Sequence, residues 1–311
     1  MISIIIPFYN EEEGIPSLTA ALSQYVKSAK DFTVEVIFVN DGSEDNSLKI
    51  LKQGSPYAFE TKVISLSKNY GSHAALRAGI LNASGDYIVF MYADLQDPLE
   101  IIGRMYDKCK QGCEIAWAVR KNTNNGPVEK TFSMFYSAMM KKYAIATYPK
   151  KGFDVVMFSK KVQANLNATI EANSSIFLQI LQLGYKQETI EYDKQLRTKG
   201  KSKWTLKKKI KLFIDSFVAF SYAPIRFVTI MGFAFFLIGL CWTGYIMYRK
   251  FFVGDIASGW PALVSILFFG FGVTNISLGI IAEYLWRTFD VSRNRPVFII
   301  DEITELNKHD K

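Results

Sequence analysis

Short, almost unbroken apolar runs alternate with helical patterns through the first 120 or so residues. Ile2–Ile6, Val34–Val39, Lys62–Leu66, Asp86–Met91 and Glu114–Ala118 are rich in β-branched and apolar residues and predict strands. Their near-continuous hydrophobicity is the pattern of strands covered on both faces, as in parallel sheets. Between them, Ile15–Ala29, Ser43–Lys52, Ser72–Asn82 and Pro98–Gln111 carry helical spacing. Strand–helix alternation predicts an α/β fold with a mainly parallel, doubly wound sheet. Residues 128–190 read as mostly helical, with a short strand at Val155–Phe158.

The pattern changes near the C-terminus. Phe227–Tyr248 and Ile256–Ala282 contain no charged residue. A bilayer core asks for about 20 apolar residues per helix, so both runs qualify as spans. Nine Lys/Arg and no acid lie from Lys194 to Lys211, and Arg287, Arg293 and Arg295 follow the second run. The short loop between the runs holds only Arg249, Lys250 and Asp255. This asymmetry places both ends on the cytoplasmic side. Ahead of the first run, Leu206, Ile210, Phe213, Ile214 and Phe217 recur at helical spacing among Lys207, Lys208, Lys209 and Lys211. That mixture predicts an amphipathic helix on an anionic membrane surface. The expected organisation is a cytosolic domain at 1–205, a juxtamembrane helix at 206–222 and two transmembrane helices within 223–291 (about 226–248 and 260–284). A cytosolic tail at 292–311 completes it.

Composition narrows the class. The 311 residues are 49% hydrophobic and 21% charged, which excludes wholesale disorder. Net charge is +8, fitting phosphate or anionic-lipid partners. The Lys-rich segment abuts a span, which favours lipid over nucleic acid. Three cysteines cannot build a disulfide framework. Met1–Pro7 has neither the basic nor the long apolar region of a signal peptide, so the first domain is expected to stay in the cytoplasm.

In doubly wound sheets ligands bind beyond the carboxyl ends of the strands. The first strand is followed by Pro7-Phe8-Tyr9-Asn10-Glu11, the second by Asn40-Asp41-Gly42-Ser43, and the fourth by Tyr92-Ala93-Asp94-Leu95-Gln96-Asp97-Pro98. Acids and amides therefore collect on one edge of a basic protein. Such a pocket can hold sugar or ribose hydroxyls, or a hard divalent cation and through it a diphosphate. Asp97 ahead of Pro98 also reads as a helix N-cap, and Asp41 as part of a turn with Gly42. Neither a G-x-G-x-x-G after the first strand nor a P-loop motif occurs, which argues against dinucleotide dehydrogenases and P-loop nucleotidases. His73 reads as a surface or cap residue, Cys109 and Cys113 as plain thiols, and Glu283 as a partner of Arg287 one helical turn on.

Further motifs are Lys68-Asn69-Tyr70-Gly71, Ala74-Ala75-Leu76-Arg77-Ala78-Gly79, Arg120, Gly152-Phe153-Asp154, and Arg197 with Gly200-Lys201-Ser202-Lys203-Trp204. Glu283-Tyr284-Leu285-Trp286-Arg287 and Asn294-Arg295-Pro296 close the series. Taken in order, these motifs resemble the family 2 glycosyltransferases of GT-A fold, and more narrowly the polyprenyl-phosphate glycosyltransferases. The resemblance implies an inverting transfer of a sugar, expected to be glucose from a UDP-sugar, to undecaprenyl phosphate at the inner membrane face. It implies that Pro7, Tyr9, Glu11, Val39 and Asp41 hold base and ribose, with Tyr92 and Ala93 also at the donor. Asp94 and Gln96 would hold Mg²⁺ or Mn²⁺, and Arg120, Arg197 and Lys203 would face phosphates. Asp94, Arg197, Asp154 and Lys203 are the expected catalytic group. Tyr92 stands where the family usually has the first acid of an Asp-x-Asp pair, so the metal shell has only one carboxylate. The expected partners are a nucleotide-sugar, a polyprenyl phosphate, an anionic membrane surface and further copies of the chain, and no nucleic acid. A processive polysaccharide synthase and a non-catalytic nucleotide-sugar-binding membrane protein are the competing readings.

Overall fold

The computed structural model describes residues 1–29, 31–121, 127–145, 147–149, 153, 155–170, 174–195, 221, 223–252, 259–293 and 295–306. The chain divides into two units, Met1–Ser216 with Pro296–Lys311, and Phe217–Arg295.

The first unit is an α/β domain. Its strands are β1 (Ile2–Phe8), β2 (Val34–Asn40), β3 (Glu60–Leu66), β4 (Tyr87–Phe90), β5 (Ile115–Arg120), β6 (Val155–Ser159), β7 (Gln187–Tyr192) and β8 (Ile300–Leu306). They form one sheet in the order β7-β5-β6-β4-β1-β2-β3-β8. The pairs β4–β1, β1–β2, β2–β3 and β5–β7 are parallel, while β6 runs antiparallel to β4 and β5, and β8 antiparallel to β3. All seven residues of β1 and of β2 are buried, as their unbroken apolar runs require.

The helices of this unit are α1 (Ile15–Ser28), α2 (Ser47–Gln53), α3 (Ser72–Asn82), α4 (Glu100–Lys110), α5 (Pro127–Tyr143), α6 (Lys160–Ala168) and α7 (Ile176–Gln182). α4 turns Ile101, Ile102, Met105 and Cys109 inward, a one-sided stripe, and leaves Lys110 outside. α3 is buried from Ala74 to Ile80 and lies close on β1. A Cβ at Gly79 would stand 2.4 Å from Cγ2 of Ile5, so this contact needs glycine.

Three expectations are corrected here. Residues 292–311 are not simply a tail, because β8 pairs with β3 and closes that sheet edge. The stretch 128–190 reaches into a second strand, β7. Asp97 does not cap α4: the cap position is Leu99, without a side-chain bond, and Asp97 Oδ1 instead accepts the Tyr192 hydroxyl at 2.5 Å.

The second unit contains α8 (Ala223–Phe252) and α9 (Trp260–Ser292). They touch through Phe235 and Phe269, whose rings lie 4.9 Å apart. The Tyr284 hydroxyl donates to the Ser221 carbonyl at 2.8 Å, and Arg287 bonds Glu283 at 2.9 Å, the pairing expected from their spacing. Many large apolar side chains of both helices face outward, among them Phe233, Phe271 and Leu285, each more than 60% exposed. Among the described residues, no helix is long and apolar enough to cross a membrane. The juxtamembrane segment expected at 206–222 lies, apart from Ser221, outside the described residues.

Candidate functional site

The strand order places the carboxyl ends of β4, β1, β2 and β3 side by side. After β3 the chain returns across β1 to lay down β4 on its other side. That reversal of order leaves a crevice at the carboxyl edge, where doubly wound sheets bind ligands. The loops after these four strands carry the motifs singled out in the sequence, and local hydrogen bonds fix them to one another.

The β1 and β2 loops are interlocked. Asp41 N–H donates to the Phe8 carbonyl at 3.0 Å and Asn10 N–H to Ser43 Oγ at 3.0 Å. Glu44 N–H returns to Asn10 Oδ1 at 2.9 Å, and Glu11 N–H donates to Ser47 Oγ at 2.8 Å. Asn10 takes a left-handed backbone (φ 51°), which asparagine tolerates best after glycine. This lattice occupies residues 43–46, so α2 starts at Ser47 rather than at the expected Ser43. Pro7 and Val39 are buried and in register on adjacent strands. Both lie near the carboxyl ends of their strands, and Tyr9 and Glu11, in the loop after β1, are half-buried.

Asp41 is 4% exposed, and both carboxylate oxygens are engaged. Oδ1 accepts Tyr70 N–H at 2.7 Å and Oδ2 accepts Gly71 N–H at 2.9 Å. Burial pushes its pKa above the usual carboxylate range, and the two N–H groups pull against that. The carboxylate thus ties the β2 loop to the β3 loop. Gly42 beside it has φ 68°, and a Cβ there would lie 2.4 Å from the Lys68 carbonyl carbon, so only glycine fits.

The β4 loop presents Tyr92, Ala93, Asp94 and Gln96. Ala93 is buried; Asp94 and Gln96 are half-buried. Leu95 has φ 53°, and Gln96 N–H donates to Asp94 Oδ1 at 3.3 Å, so the segment is a tight turn with Asp94 at its head. Its far side is pinned. The Gln96 carbonyl accepts Gln195 N–H at 2.9 Å, and Asp97 meets the Tyr192 hydroxyl and Lys194 Nζ at 2.5 and 3.4 Å. Arg120, at the end of β5, is in register with Tyr192 on β7. Asp94 and Gln96 offer hard oxygen donors, as Mg²⁺ or Mn²⁺ requires. A cation taking one carboxylate, an amide and the rest of its shell from a diphosphate and water fits this donor set. Among the described residues no group of three or more His, Cys, Asp or Glu is gathered for a metal.

A cavity of about 390 Å³ opens on the β2–β3–β8 side of this edge. Tyr9, Asn40, Ser43, Lys68, Asn69 and the β8 pair Asp301 and Glu302 are among its lining residues. Sequence reasoning placed Tyr9 at the donor and counted Asn40 among the polar groups after the second strand, but missed both β8 acids. The apolar run Val297–Ile300 was the available signal for a strand there. Arg197, Lys203 and Asp154 lie outside the described residues.

His73 packs edge-on against Phe177 with ring centres 5.9 Å apart, and its Nδ1 is buried without a hydrogen-bond partner among the described residues. Burial first, then the Arg77 charge, lower its pKa to about 4. It is half-buried in the first turn of α3 with Nδ1 turned inward, rather than the open surface or cap residue expected. Cys109 and Cys113 are buried thiols 3.8 Å apart, and burial raises both pKa values.

Residues 3–167 match the family model described as Glycosyl transferase family 2. The chain belongs to family 2 of the glycosyltransferases. It is 31% identical to the undecaprenyl-phosphate 4-deoxy-4-formamido-L-arabinose transferase of Proteus mirabilis, over 100% of this chain and 96% of that one. It is 30% identical to the bactoprenol glucosyl transferase of Shigella phage SfV, over 96% of this chain and 97% of that one. Among solved structures it resembles glucosyl-3-phosphoglycerate synthase from Mycobacterium tuberculosis, crystallised with Mn²⁺, UDP and phosphoglyceric acid. There the TM-score is 0.50 with 17% identity, over 70% of this chain and 76% of the other. That likeness concerns the fold, which is the family's GT-A α/β architecture. As a family 2 glycosyltransferase the chain is an enzyme of sugar transfer, and its strand-end loops stand where such a fold works.

Proposed function

We propose that the chain transfers a single sugar, expected to be glucose from UDP-glucose, to undecaprenyl phosphate at the inner face of the plasma membrane. The product would supply a lipid-linked sugar for cell-envelope glycans. The observation that carries this reading is end-to-end similarity to relatives named for polyprenyl-phosphate acceptors, covering the helical C-terminal unit as well as the catalytic domain.

Membrane attachment through α8 and α9 supports the acceptor assignment. The sequence is uncharged from Phe227 to Tyr248 and from Ile256 to Ala282. Rows of outward phenylalanine and leucine would cost about 25 cal/mol per Å² in water and are at home in lipid. Basic residues flank the two uncharged runs in sequence, from Lys194 to Lys211 and at Arg287, Arg293 and Arg295, in keeping with a cytoplasmic site and cytoplasmic termini.

The acceptor brings its own nucleophile. A phosphate monoester has a second pKa near ~6 and is mostly dianionic at neutral pH. One of its oxygens attacks the anomeric carbon, the bond to the diphosphate breaks, and configuration inverts. The protein has no proton to remove, so its work is alignment and stabilisation of charge on the leaving group. Asp94 and Gln96 are the residues to hold Mg²⁺ or Mn²⁺, ions crystallised with structural neighbours. When bound there, such a cation neutralises charge on the departing diphosphate. Arg120 and Arg197 would contact phosphates, Lys203 would meet the lipid phosphate at headgroup depth, and Asp154 would orient the acceptor or Arg197.

Thin-layer analysis of reactions with radiolabelled nucleotide sugars, undecaprenyl phosphate and Mn²⁺ tests the reading. A lipid carrying one sugar is the expected product. A polymer would point to a processive synthase, and no product from any donor would point to a binding protein.

A further inference from the structure

β8 does more than close a sheet edge. Its register with β3 slips at the end facing the cavity: Ser65 pairs with Glu302 but Leu66 pairs with Ile300. One residue of β3 is thus matched by two of β8, and Asp301 is the extra residue of a β-bulge. A regular strand sends neighbouring side chains to opposite faces, and a bulge breaks that alternation and re-aims them. Asp301 and Glu302, though adjacent, both line the same cavity.

The two acids are held differently. Glu302 is committed: its carboxylate takes Lys52 Nζ at 2.8 Å and the Thr304 hydroxyl at 2.8 Å. Asp301 has no hydrogen bond or ion pair among the described residues. Asn40, 4% exposed, lines the same cavity. Ser43 N–H donates to Asn40 Oδ1 at 2.9 Å, which fixes that atom as the oxygen. Asn40 Nδ2 is left without a protein partner among the described residues. The cavity therefore offers an unused amide donor and, in exposed Asp301, an unused carboxylate acceptor, with Tyr9 and Lys68 alongside.

We propose that the β8 bulge completes the donor site, with Asp301 accepting a hydrogen bond from the nucleoside end of the nucleotide-sugar and Asn40 Nδ2 donating to a carbonyl of its base. This rests on the donor reading above. The charge pattern assigns the end. With Glu302 paired to Lys52, Asp301 and Glu44 still outnumber Lys68 in the lining, and that net negative charge disfavours a diphosphate, whereas nucleobase N–H and ribose hydroxyls seek acceptors. The diphosphate belongs toward Asp94, on the loop after β4. From β3 to β4 there are three strand spacings of about 4.8 Å each, about 14 Å in all, comparable to an extended nucleoside diphosphate.

The test uses the full chain in detergent with Mn²⁺, titrated calorimetrically with UDP, GDP, CDP, ADP and inorganic pyrophosphate. Losing a charge-assisted hydrogen bond should weaken binding about tenfold. Asp301→Ala should thus raise Kd for the tightest nucleoside diphosphate about tenfold and leave pyrophosphate within twofold. Asn40→Ala should weaken the same nucleotide, again sparing pyrophosphate. In turnover, Asp301→Ala should raise donor KM with kcat retained, the mark of lost uniform binding. An unchanged thermal midpoint for Asp301→Ala separates lost binding from lost structure. Wild-type nucleotide affinity retained within twofold by Asp301→Ala overturns the inference alone. Failure of every nucleoside diphosphate to bind wild-type protein overturns the donor reading and the inference with it.

Discussion

Asp41 is the residue whose substitution best separates scaffold from ligand contact. Its two oxygens satisfy the N–H groups of Tyr70 and Gly71 at 2.7 and 2.9 Å in a nearly closed environment. Asp41→Ala leaves two backbone donors orphaned, each worth about 1–3 kcal/mol. Removing a buried charge offsets part of that, because burial outweighs the hydrogen bonds in setting its pKa. The net cost at pH 7 is therefore about 2–3 kcal/mol, at the low end of the sum of the two. For a domain of this size, 1 kcal/mol moves the midpoint by about 2–4 °C, so the variant should melt roughly 4–12 °C lower. The sign with pH follows from the raised folded-state pKa. Wild-type protein carries a stability contribution that is full below about 3.8, the unfolded value, and is lost as pH rises through the folded value. The gap between wild type and Asp41→Ala should accordingly widen as pH falls toward 4. Differential scanning fluorimetry of the full chain across pH 4–8 measures both quantities. A midpoint within 2 °C of wild type at pH 7 would refute the tie between the β2 and β3 loops.

Three other outcomes are expected. Glu35, buried at the opposite end of the sheet, accepts from Ser3 Oγ, Ser84 N–H and Oγ, and Gly85 N–H. Glu35→Ala orphans the Ser84 and Gly85 N–H groups and should cost about 2–4 kcal/mol in unfolding measurements while leaving donor KM of the surviving folded enzyme unchanged. His73 has a folded pKa lowered to about 4, so the stability it lends is present above its unfolded value near 6.5 and lost as pH falls toward 4. The drop in midpoint between pH 7 and pH 5 should be smaller in His73→Phe. Removing divalent cations with EDTA should abolish transfer, and Mn²⁺ or Mg²⁺ should restore it; full turnover in EDTA would dissociate Asp94 and Gln96 from any metal role.

The central strands were legible because burial on both faces writes itself as continuous apolar sequence. β1 to β4 all stand within two residues of their expected bounds. β7 and β8 were not legible from that rule. They are edge strands, reading Gln-Glu-Thr-Ile-Glu-Tyr and Ile-Asp-Glu-Ile-Thr-Glu-Leu, and a strand half in water carries half the signal. The strand-end motifs do come together on one edge of the sheet. The partners of their polar groups did not show, since Asp41 bonds backbone 29 residues away and Asp97 meets a tyrosine 95 residues on. Such pairings depend on topology, and no local spacing encodes them. The same holds for Asn40 and Asp301, which share a cavity only because β8 returns to the sheet from beyond α9.

Mass spectrometry of the lipid extracted from a reaction of purified chain, UDP-glucose, undecaprenyl phosphate and Mn²⁺ tests the central claim most directly. The account predicts a lipid heavier by one hexose, attached through its phosphate. An unmodified lipid with UDP-glucose and the other common nucleotide sugars, or a lipid bearing a ladder of several sugars, would contradict it.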